Sequence, residues 1–313
     1  MKVLLTGANG FVGIEAARQL VEAGHEVLAA DNLRYCPWRI TGLAGDALEL
    51  LEIDLRDHEA VAGMVERFQP DAIIHLAAVH FIPECERLPH DAVSINLQAT
   101  VNLLSSCPSS CRFVFASTAA VYAPSSVPHV IAGTIGPMDV YGHTKLAGEE
   151  LVRYYSRKTG FEACIVRLFN VVGPGETNPH LLPEIVKQLR QGERTLRLGN
   201  VTPKRDYIFV GDAAAGFIAA ATVPLADDRR LVVANLGTGM EYSVNEMVER
   251  IGSIIGDQVT IETDPDKVRP SDRPHLCADN SDMRSFFGWA PTHDIDRSLK
   301  ATWDDPRMID QLL

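Results

Sequence analysis

Short apolar runs and longer amphipathic stretches alternate regularly along the first 168 residues. Short runs bounded by glycine or polar residues are typical of buried parallel strands. They cover residues 2–6, 25–30, 47–53, 71–76, 112–116 and 161–168. Between and after them, apolar positions spaced three or four residues apart predict helices. These helices cover residues 11–23, 57–68, 90–107 and 141–159.

This alternation predicts an α/β protein with a Rossmann-type, doubly wound parallel sheet and right-handed crossovers. The pattern loosens after Leu168, where we expect a smaller substrate-binding lobe to begin, and the run 231–236 predicts a strand that returns to the first sheet. The predicted domains are residues 1–169 with about 207–236 for the cofactor, and residues 170–206 with 237–313 for the C-terminal lobe. In that lobe, Ser243 and Glu246 predict a capping box at the start of a helix.

Composition narrows the class of protein. The chain is 46% hydrophobic and 22% charged, as is usual for globular proteins, and its net charge of −12 argues against non-specific nucleic-acid binding. No apolar run reaches the roughly 18 residues that a membrane span needs, and the chain starts directly with a strand rather than a signal peptide. We therefore expect a cytoplasmic protein without nucleic-acid or membrane partners. Its six cysteines follow no metal-binding pattern, so we expect reduced thiols and no metal.

A glycine-rich turn follows the first apolar run. Gly7, Gly10 and Gly13 form G-x-x-G-x-x-G, and a helix is predicted from Phe11 onward. Glycines allow a pyrophosphate to approach the backbone, and the free N–H groups at the helix start favour its negative charge. The alternative is an ordinary glycine-rich turn. The predicted phosphate-binding residues are Gly7, Gly10, Phe11, Val12 and Gly13.

An acidic residue ends the second predicted strand. Asp31 lies 18 residues after Gly13, about where a carboxylate accepts the ribose hydroxyls of an adenosine. Because a carboxylate repels a 2′-phosphate, NAD is favoured over NADP. Arg34 leaves NADP open, since an arginine there could hold that phosphate. The simpler interpretations are a turn aspartate and a solvated arginine.

Other polar or small residues follow the ends of the remaining strands. Ligands of doubly wound sheets bind beyond these carboxyl ends. The residues in question are Asp54, Ala77, Ala78, Ser117 and Thr118. His75, within a strand, is expected to be a hydrogen-bonded core histidine rather than a ligand.

Tyr141 and Lys145 are four residues apart in a predicted helix and therefore share one face. An ammonium close to a phenol lowers the phenol's pKa, which could produce an acid or base that works near neutral pH. By itself the pair could equally be a surface tyrosine beside a solvated lysine.

Taken together, the motifs resemble the extended short-chain dehydrogenase/reductases of the nucleotide-sugar epimerase/dehydratase type. The resemblance covers nearly the whole chain. The matching segments are Thr6-Gly7-Ala8-Asn9-Gly10-Phe11-Val12-Gly13, Asp31-Asn32-Leu33, Asp54-Leu55, His75-Leu76-Ala77-Ala78, Ser117-Thr118-Ala119-Ala120-Val121-Tyr122, Tyr141-Gly142-His143-Thr144-Lys145, Arg167 to Gly175 and Arg205 to Val210.

The resemblance implies a role for each matching position. Thr118 would hydrogen-bond the sugar hydroxyl, Tyr141 would exchange its proton, and Lys145 would hold the nicotinamide ribose and lower the pKa of the tyrosine. The implied cofactor is NAD, bound by the phosphate-binding residues above and by Asp31, Asn32, Asp54, Leu55, Leu76, Ala77, Ala78, Asn96, Tyr141 and Lys145. The implied substrate contacts are Ser117, Thr118, Asn170, Arg205 and Arg269.

Two departures from the family pattern restrict the reaction. Family members that catalyse 4,6-dehydration carry Asp-Glu after the Ser/Thr, whereas this chain has Ala119-Ala120, and a methyl group cannot transfer a proton. Decarboxylating members carry a glutamate near this position, which is likewise missing. The segment 124–138 also departs from the usual acidic loop, and we expect it to form a mobile cover over the site.

The expected function is therefore epimerisation of a nucleotide-sugar, at C4 of a UDP-hexose or UDP-hexuronic acid, through a transient 4-keto intermediate. The alternatives are an NAD(P)H-dependent 4-ketoreductase, a dehydratase with unusual acid–base groups, and a dinucleotide-binding regulatory protein without catalysis. Residues 269–272 and 279–281 resemble the GDP-deoxymannose reductase branch, which keeps the ketoreductase open. The resemblance also implies a homodimer formed through helices at 91–107 and 141–159.

Overall fold

The computed structural model describes residues 1–43, 45–176, 178, 180–226, 229–268 and 273–305. The strands are β1 Lys2–Thr6, β2 Glu26–Asp31, β3 Leu48–Glu52, β4 Ala72–His75, β5 Arg112–Thr118, β6 Glu162–Leu168, β7 Asn170–Val172, β8 Thr195–Leu198, β9 Lys204–Phe209, β10 Leu231–Leu236, β11 Glu241–Ser243, β12 Thr260–Thr263 and β13 His275–Leu276. The helices are α1 Phe11–Glu22, α2 His58–Phe68, α3 Ile82–Arg87, α4 Pro89–Val93, α5 Ala99–Ser106, α6 Val140–Thr159, α7 Leu181–Arg190, α8 Val210–Thr222, α9 Val244–Ile255, α10 Ser281–Phe287 and α11 Ile295–Asp304. A π-helical stretch, Ser94–Gln98, joins α4 to α5.

The main sheet has seven strands in the order β10-β6-β5-β4-β1-β2-β3. All of its neighbouring strands run parallel. This confirms the predicted doubly wound sheet, including the return of the chain at β10. Because all carboxyl ends lie at the same edge, the residues that follow the strands come together there.

Helices cover both faces of this sheet, and successive residues of β1 pack against the helices of opposite faces. Val3 and Leu5 pack with α1 and α8 on one face, whereas Leu4 packs with α2 and α5 on the other. Successive residues of a strand point to opposite faces, so a continuous apolar run needs two apolar layers. Fully burying one such side chain stabilises the fold by about 1.5–3 kcal/mol.

The remaining strands form a smaller lobe. The strands β7, β9, β11 and β13 form one sheet, and β8 pairs with β12 in another. Both belong to the predicted C-terminal part of the protein. The predicted return to the cofactor domain near residue 207 falls inside β9, which stays in the smaller sheet until Phe209. Helix α10 falls within the predicted C-terminal lobe, but its Met283 and Phe287 pack in the core of the main sheet.

Two local predictions, one in the smaller lobe and one between β5 and α6, have clear outcomes. The capping box is confirmed, since Ser243 Oγ accepts from Glu246 N at 3.2 Å and Glu246 Oε2 accepts from Ser243 N at 2.7 Å. The segment 124–138, predicted as a mobile cover, is instead anchored by backbone contacts. His129 N donates to Cys277 O at 2.8 Å, Asp279 N donates to His129 O at 3.0 Å, and Tyr122 forms a bridge with Ile135.

None of the helices in the described ranges has the length and apolar character that a membrane crossing requires.

Candidate cofactor and active site

The glycine turn brings bare backbone to the carboxyl edge of the sheet. Gly7 has φ +69°, and a Cβ there would lie 2.6 Å from Ala77 N. A Cβ on Gly13 would lie 2.1 Å from Gly7 O, so this position allows only glycine. Gly10 is the N-cap of α1 and provides no side-chain cap, which leaves the first N–H groups of the helix directed outward. These features fit a dinucleotide pyrophosphate.

Asp31 is held rigidly beside this turn. Its Oδ2 accepts from Asn9 N at 3.0 Å, and its Oδ1 accepts from Leu33 N at 2.9 Å. Arg34 points elsewhere: its Nη2 lies 3.3 Å from Glu84 Oε1 and 3.0 Å from Asp91 Oδ2. Because two carboxylates already neutralise this guanidinium, it is poorly suited to a 2′-phosphate. The geometry therefore favours NAD over NADP.

The other predicted cofactor residues lie along the same edge. Asp54 pairs with Arg56 at 2.6 Å, and this contact holds the pKa of the carboxyl below its usual value. Leu55 is buried, and the exposed Asn32 accepts from Arg34 N at 3.2 Å. Leu76 N donates to Thr6 O at 3.1 Å, which extends the β1–β4 pairing towards Ala77 and Ala78. Their contacts with a cofactor stay predictions.

Asn96 is buried in the π-helical stretch, and its side-chain amide hydrogen-bonds two neighbouring segments. Its Oδ1 accepts from Val79 N at 2.8 Å, while Nδ2 donates to Val79 O at 3.0 Å and to Thr144 Oγ1 at 2.9 Å. The amide thus fixes the segment after β4 to helix α6. A direct contact of Asn96 with NAD stays a prediction.

His75 is the buried core histidine that the sequence predicts. Its ring nitrogens hydrogen-bond Thr6 Oγ1 at 2.7 Å and Thr100 Oγ1 at 3.0 Å. Burial lowers the pKa of His75 to about 3, so the ring is neutral at physiological pH.

Tyr141 and Lys145 lie on one face of α6, as their spacing predicts. Asp139 caps the helix by accepting from Gly142 N at 2.7 Å, which places Tyr141 in the first turn. The Lys145 Nζ is 5.9 Å from the centre of the Tyr141 ring and 5.0 Å from that of Phe115. Lys145 is only 2% exposed. The amine is therefore almost completely removed from solvent.

Burial dominates the protonation of this pair. It raises the pKa of the Tyr141 phenol, although the interaction with Thr118 acts in the opposite direction, and it lowers the pKa of Lys145 to about 7. In this structure the net shift of the phenol's pKa is therefore upward, because burial outweighs the predicted lowering by Lys145. The reason is that desolvation disfavours the charged forms of both groups.

Thr118 ends β5 close to Tyr141, whereas Ser117 points into the protein. Thr118 Oγ1 accepts from Ala120 N at 3.1 Å and thereby shapes the turn Ala119–Val121. Ser117 Oγ donates to Glu149 Oε1 at 2.6 Å. Because neighbouring strand residues alternate in direction, the Ser117 hydroxyl belongs to a buried network rather than to the predicted substrate site.

That network contains Glu149 and Asn235, which the sequence motifs quoted above do not include. Arg167 Nε and Nη2 donate to the two oxygens of Glu149 at 2.8 and 2.7 Å, and the guanidinium lies 4.8 Å from the centre of the Tyr122 ring. Tyr122 donates to Asn235 Oδ1 at 2.7 Å. One available signal was the position of Glu149, four residues after Lys145 on the same helix.

The predicted diphosphate site is only partly described. Arg205 Nη1 donates to Lys204 O and Arg273 O, both at 2.7 Å, and the exposed Asn170 begins β7. Arg269 lies outside the described residues. Arg273 reaches the catalytic turn, because its Nη2 donates to Ala120 O at 3.0 Å. It thereby connects the C-terminal lobe with the turn beside Thr118.

The described residues contain no group of three or more histidine, cysteine, aspartate or glutamate side chains arranged to hold a metal ion.

A threonine, a tyrosine and a lysine beside the carboxyl edge of a doubly wound sheet define an NAD-dependent enzyme of the extended short-chain dehydrogenase/reductase class. A model of the NAD dependent epimerase/dehydratase family matches residues 3–235. The chain belongs to this family. The fold, the family and NAD as its cofactor are thus confirmed.

Individual relatives cover almost the whole chain. It is 31% identical to UDP-glucose 4-epimerase of Azospirillum brasilense, over 99% of this chain and 93% of the relative. It is 26% identical to GDP-6-deoxy-D-mannose reductase of Pseudomonas aeruginosa, over 97% of this chain and 96% of the relative. The crystal structure of UDP-glucose-4-epimerase from Stenotrophomonas maltophila, with bound NAD and formylated UDP-arabinopyranose, superimposes with a TM-score of 0.90 at 28% identity and covers both chains completely.

Proposed function

We propose that the protein is an NAD-dependent nucleotide-sugar epimerase that acts at C4 of a UDP-hexose or UDP-hexuronic acid through a transient 4-keto intermediate. The observation that carries this proposal is the convergence of Thr118, Tyr141 and Lys145 beside a turn of three apolar residues, Ala119–Val121, which offers no acid–base side chain. The likeness to UDP-glucose 4-epimerases supports it.

The chemistry that NAD would supply is to accept a hydride from C4 of the sugar and later to return it. Thr118 holds the C4 hydroxyl, and the Tyr141 phenolate removes its proton. Lys145 would hold the nicotinamide ribose, and its ammonium form would favour the phenolate of Tyr141. After the keto sugar has turned its opposite face towards the cofactor, Tyr141 returns the proton to the C4 oxygen. The residues proposed to bind the substrate are Thr118, Asn170, Arg205 and Arg269.

The alternative is a 4-ketoreductase of a nucleotide deoxysugar, which the likeness to the Pseudomonas aeruginosa reductase favours. The nicotinamide content of the purified protein separates the two reactions. An epimerase recycles the same NAD and is expected to retain it through purification. A reductase consumes added NAD(P)H in proportion to product.

The test of the epimerase is to incubate the purified protein with UDP-hexoses and UDP-hexuronic acids and to resolve the stereoisomers. We expect Tyr141→Phe to retain NAD but to lower turnover by about 10²–10⁴-fold, the usual contribution of a general acid–base group. A complete lack of epimers with UDP-, dTDP-, GDP- and CDP-sugars would rule the proposal out.

We also propose a homodimer formed through α4, α5 and α6. Exposed apolar residues on these helices support it, since Val93 is 46% and Tyr154 is 50% exposed. The cytoplasmic location stays a prediction from the sequence.

A further inference from the structure

The segment after β2 folds back onto the glycine turn. The buried side chain of Asn9 makes this connection, because its Nδ2 donates to Pro37 O at 3.0 Å and to Cys36 O at 3.3 Å. Its Oδ1 accepts from Arg39 N at 2.8 Å. The backbone of residue 39 is therefore held beside the residue that precedes the N-cap of α1.

The Arg39 guanidinium spans from the glycine turn to the smaller lobe. Its Nη2 donates to Asn9 O at 3.0 Å, and its Nη1 donates to Gly175 O at 3.4 Å. Gly175 belongs to the loop that follows β7. The Nε atom is buried and has no hydrogen-bond partner in the structure.

The charge of Arg39 is not balanced within the protein. In the described parts of the chain no carboxylate lies within ion-pair distance of Arg39, whereas Arg34 of the same segment has both Glu84 and Asp91. A partly buried guanidinium held by carbonyl oxygens alone is costly unless an anion completes its surroundings. This is notable in a chain with a net charge of −12.

The position of the Arg39 guanidinium indicates which anion would balance its charge. Arg39 contacts Asn9, next to the Gly10 N-cap, where the free N–H groups of α1 favour phosphate. Two phosphate groups carry the negative charge of a dinucleotide, and a guanidinium fork matches their oxygens.

We propose that Arg39 binds the pyrophosphate of NAD and, through Gly175, ties the smaller lobe to the bound cofactor. Arg39 would thus determine how firmly NAD is retained. This inference deepens the proposed function, because an epimerase must keep the same NAD through both hydride transfers. The binding of NAD by Arg39 requires only that NAD is the cofactor, as it is for the family.

The test compares Arg39→Gln with Arg34→Gln, a matched loss of one charge from the same segment. Full-length protein freed of cofactor is titrated with NAD and ADP-ribose by calorimetry, and with adenosine by ligand-observed NMR. For Arg39→Gln we expect NAD and ADP-ribose to bind about 10–100-fold more weakly, as for a lost charge-assisted hydrogen bond, and adenosine to bind unchanged. Arg34→Gln should change none of the three by more than about twofold.

The dependence on salt provides a second measurement. Removing a cation that contacts phosphate should make NAD binding by Arg39→Gln less sensitive to ionic strength than binding by the wild type. Wild-type affinity of Arg39→Gln for NAD would overturn the proposal, and so would an equal weakening of NAD and adenosine. No sugar substrate is used, so this result and the outcome of the epimerase assay are independent of each other.

Discussion

Lys145 is buried where its charged form is least stable. The folded-state pKa of about 7 lies below the ordinary value of 10.5. Between these pH values the unfolded chain binds more protons than the folded one, so the free energy of unfolding rises with pH. Below about pH 7 the penalty for burying the ammonium is present in full. The catalytic position therefore costs stability.

Lys145→Met tests this cost. We expect the cofactor-free variant to be more stable than the wild type by on the order of 2–4 kcal/mol near pH 6, since one pKa unit corresponds to about 1.4 kcal/mol. This difference should shrink towards about pH 10, while turnover is lost. Urea unfolding at both pH values measures it, with the exposed Lys158→Met as control. A difference that does not vary with pH would contradict the prediction.

Glu149 and Arg167 form a buried ion pair beneath the catalytic residues. Their side chains are 1% and 4% exposed. We expect Glu149→Gln to lower the free energy of unfolding by about 3–5 kcal/mol, because it leaves a buried guanidinium without its carboxylate. The exposed pair of Glu49 and Arg67 is the control, and Glu49→Gln should change stability by less than about 1 kcal/mol. Equal effects of both variants in urea unfolding would argue against a special role for burial.

At the scale of elements, helix α6 lies unusually close to strand β5. A Cβ on Gly148 would lie 2.5 Å from Cζ of the buried Phe115 ring. The same ring faces the Lys145 amine, so the approach of helix and strand also sets the position of the catalytic pair.

Gly148→Ala should push the helix away from the strand. We expect a loss of about 1–3 kcal/mol in the free energy of unfolding, as for other overpacked cores, together with reduced turnover. Gly63→Ala in α2 is the control, because nothing lies within 4 Å of its Cβ. That variant should be more stable by about 0.5–1 kcal/mol. Thermal or urea unfolding compares the two, and wild-type stability of Gly148→Ala would contradict the packing argument.

Local patterns predicted most elements of the first 168 residues, because strand and helix periods and capping residues are properties of neighbouring positions. The common face of Tyr141 and Lys145 follows from helical spacing alone. The contacts of Asn96 with Val79 and Thr144, and of Asn9 with residue 39, join distant segments, and no local pattern reports them. The direction of Ser117 was available from strand alternation, whereas its hydrogen bond with Glu149 joins a strand to a distant helix. The upward shift of the Tyr141 pKa was not predicted, because the burial that causes it depends on the whole fold.

At the scale of the whole molecule, alternation of strands and helices was sufficient to predict the doubly wound sheet and its return at β10. The boundary near residue 207 was less accurate, since β9 joins the smaller sheet through pairings with β7, β11 and β13. Such pairings connect segments far apart in sequence. The pattern of a single strand does not reveal which sheet it enters.

The predicted homodimer is tested by mass in solution. The wild type should sediment at twice the chain mass of 34.3 kDa, and Val93→Glu should shift it towards a single chain, because a charge would be buried in the interface. Val268→Glu, at an exposed apolar residue of the smaller lobe, is the control and should keep the dimer mass. A wild-type mass of one chain would show that the protein does not dimerise by this surface.

The strand order also has a consequence for biosynthesis. Strand β10 pairs with β6 and is the last strand of the main sheet to be made, after the chain has already passed through β7, β8 and β9 of the smaller lobe. Until residue 236 has left the ribosome, the nascent sheet presents β6 as an open edge, which is a template for pairing with other chains. Translation products that stop before Leu231 are therefore expected to aggregate rather than to fold as a separate cofactor-binding unit.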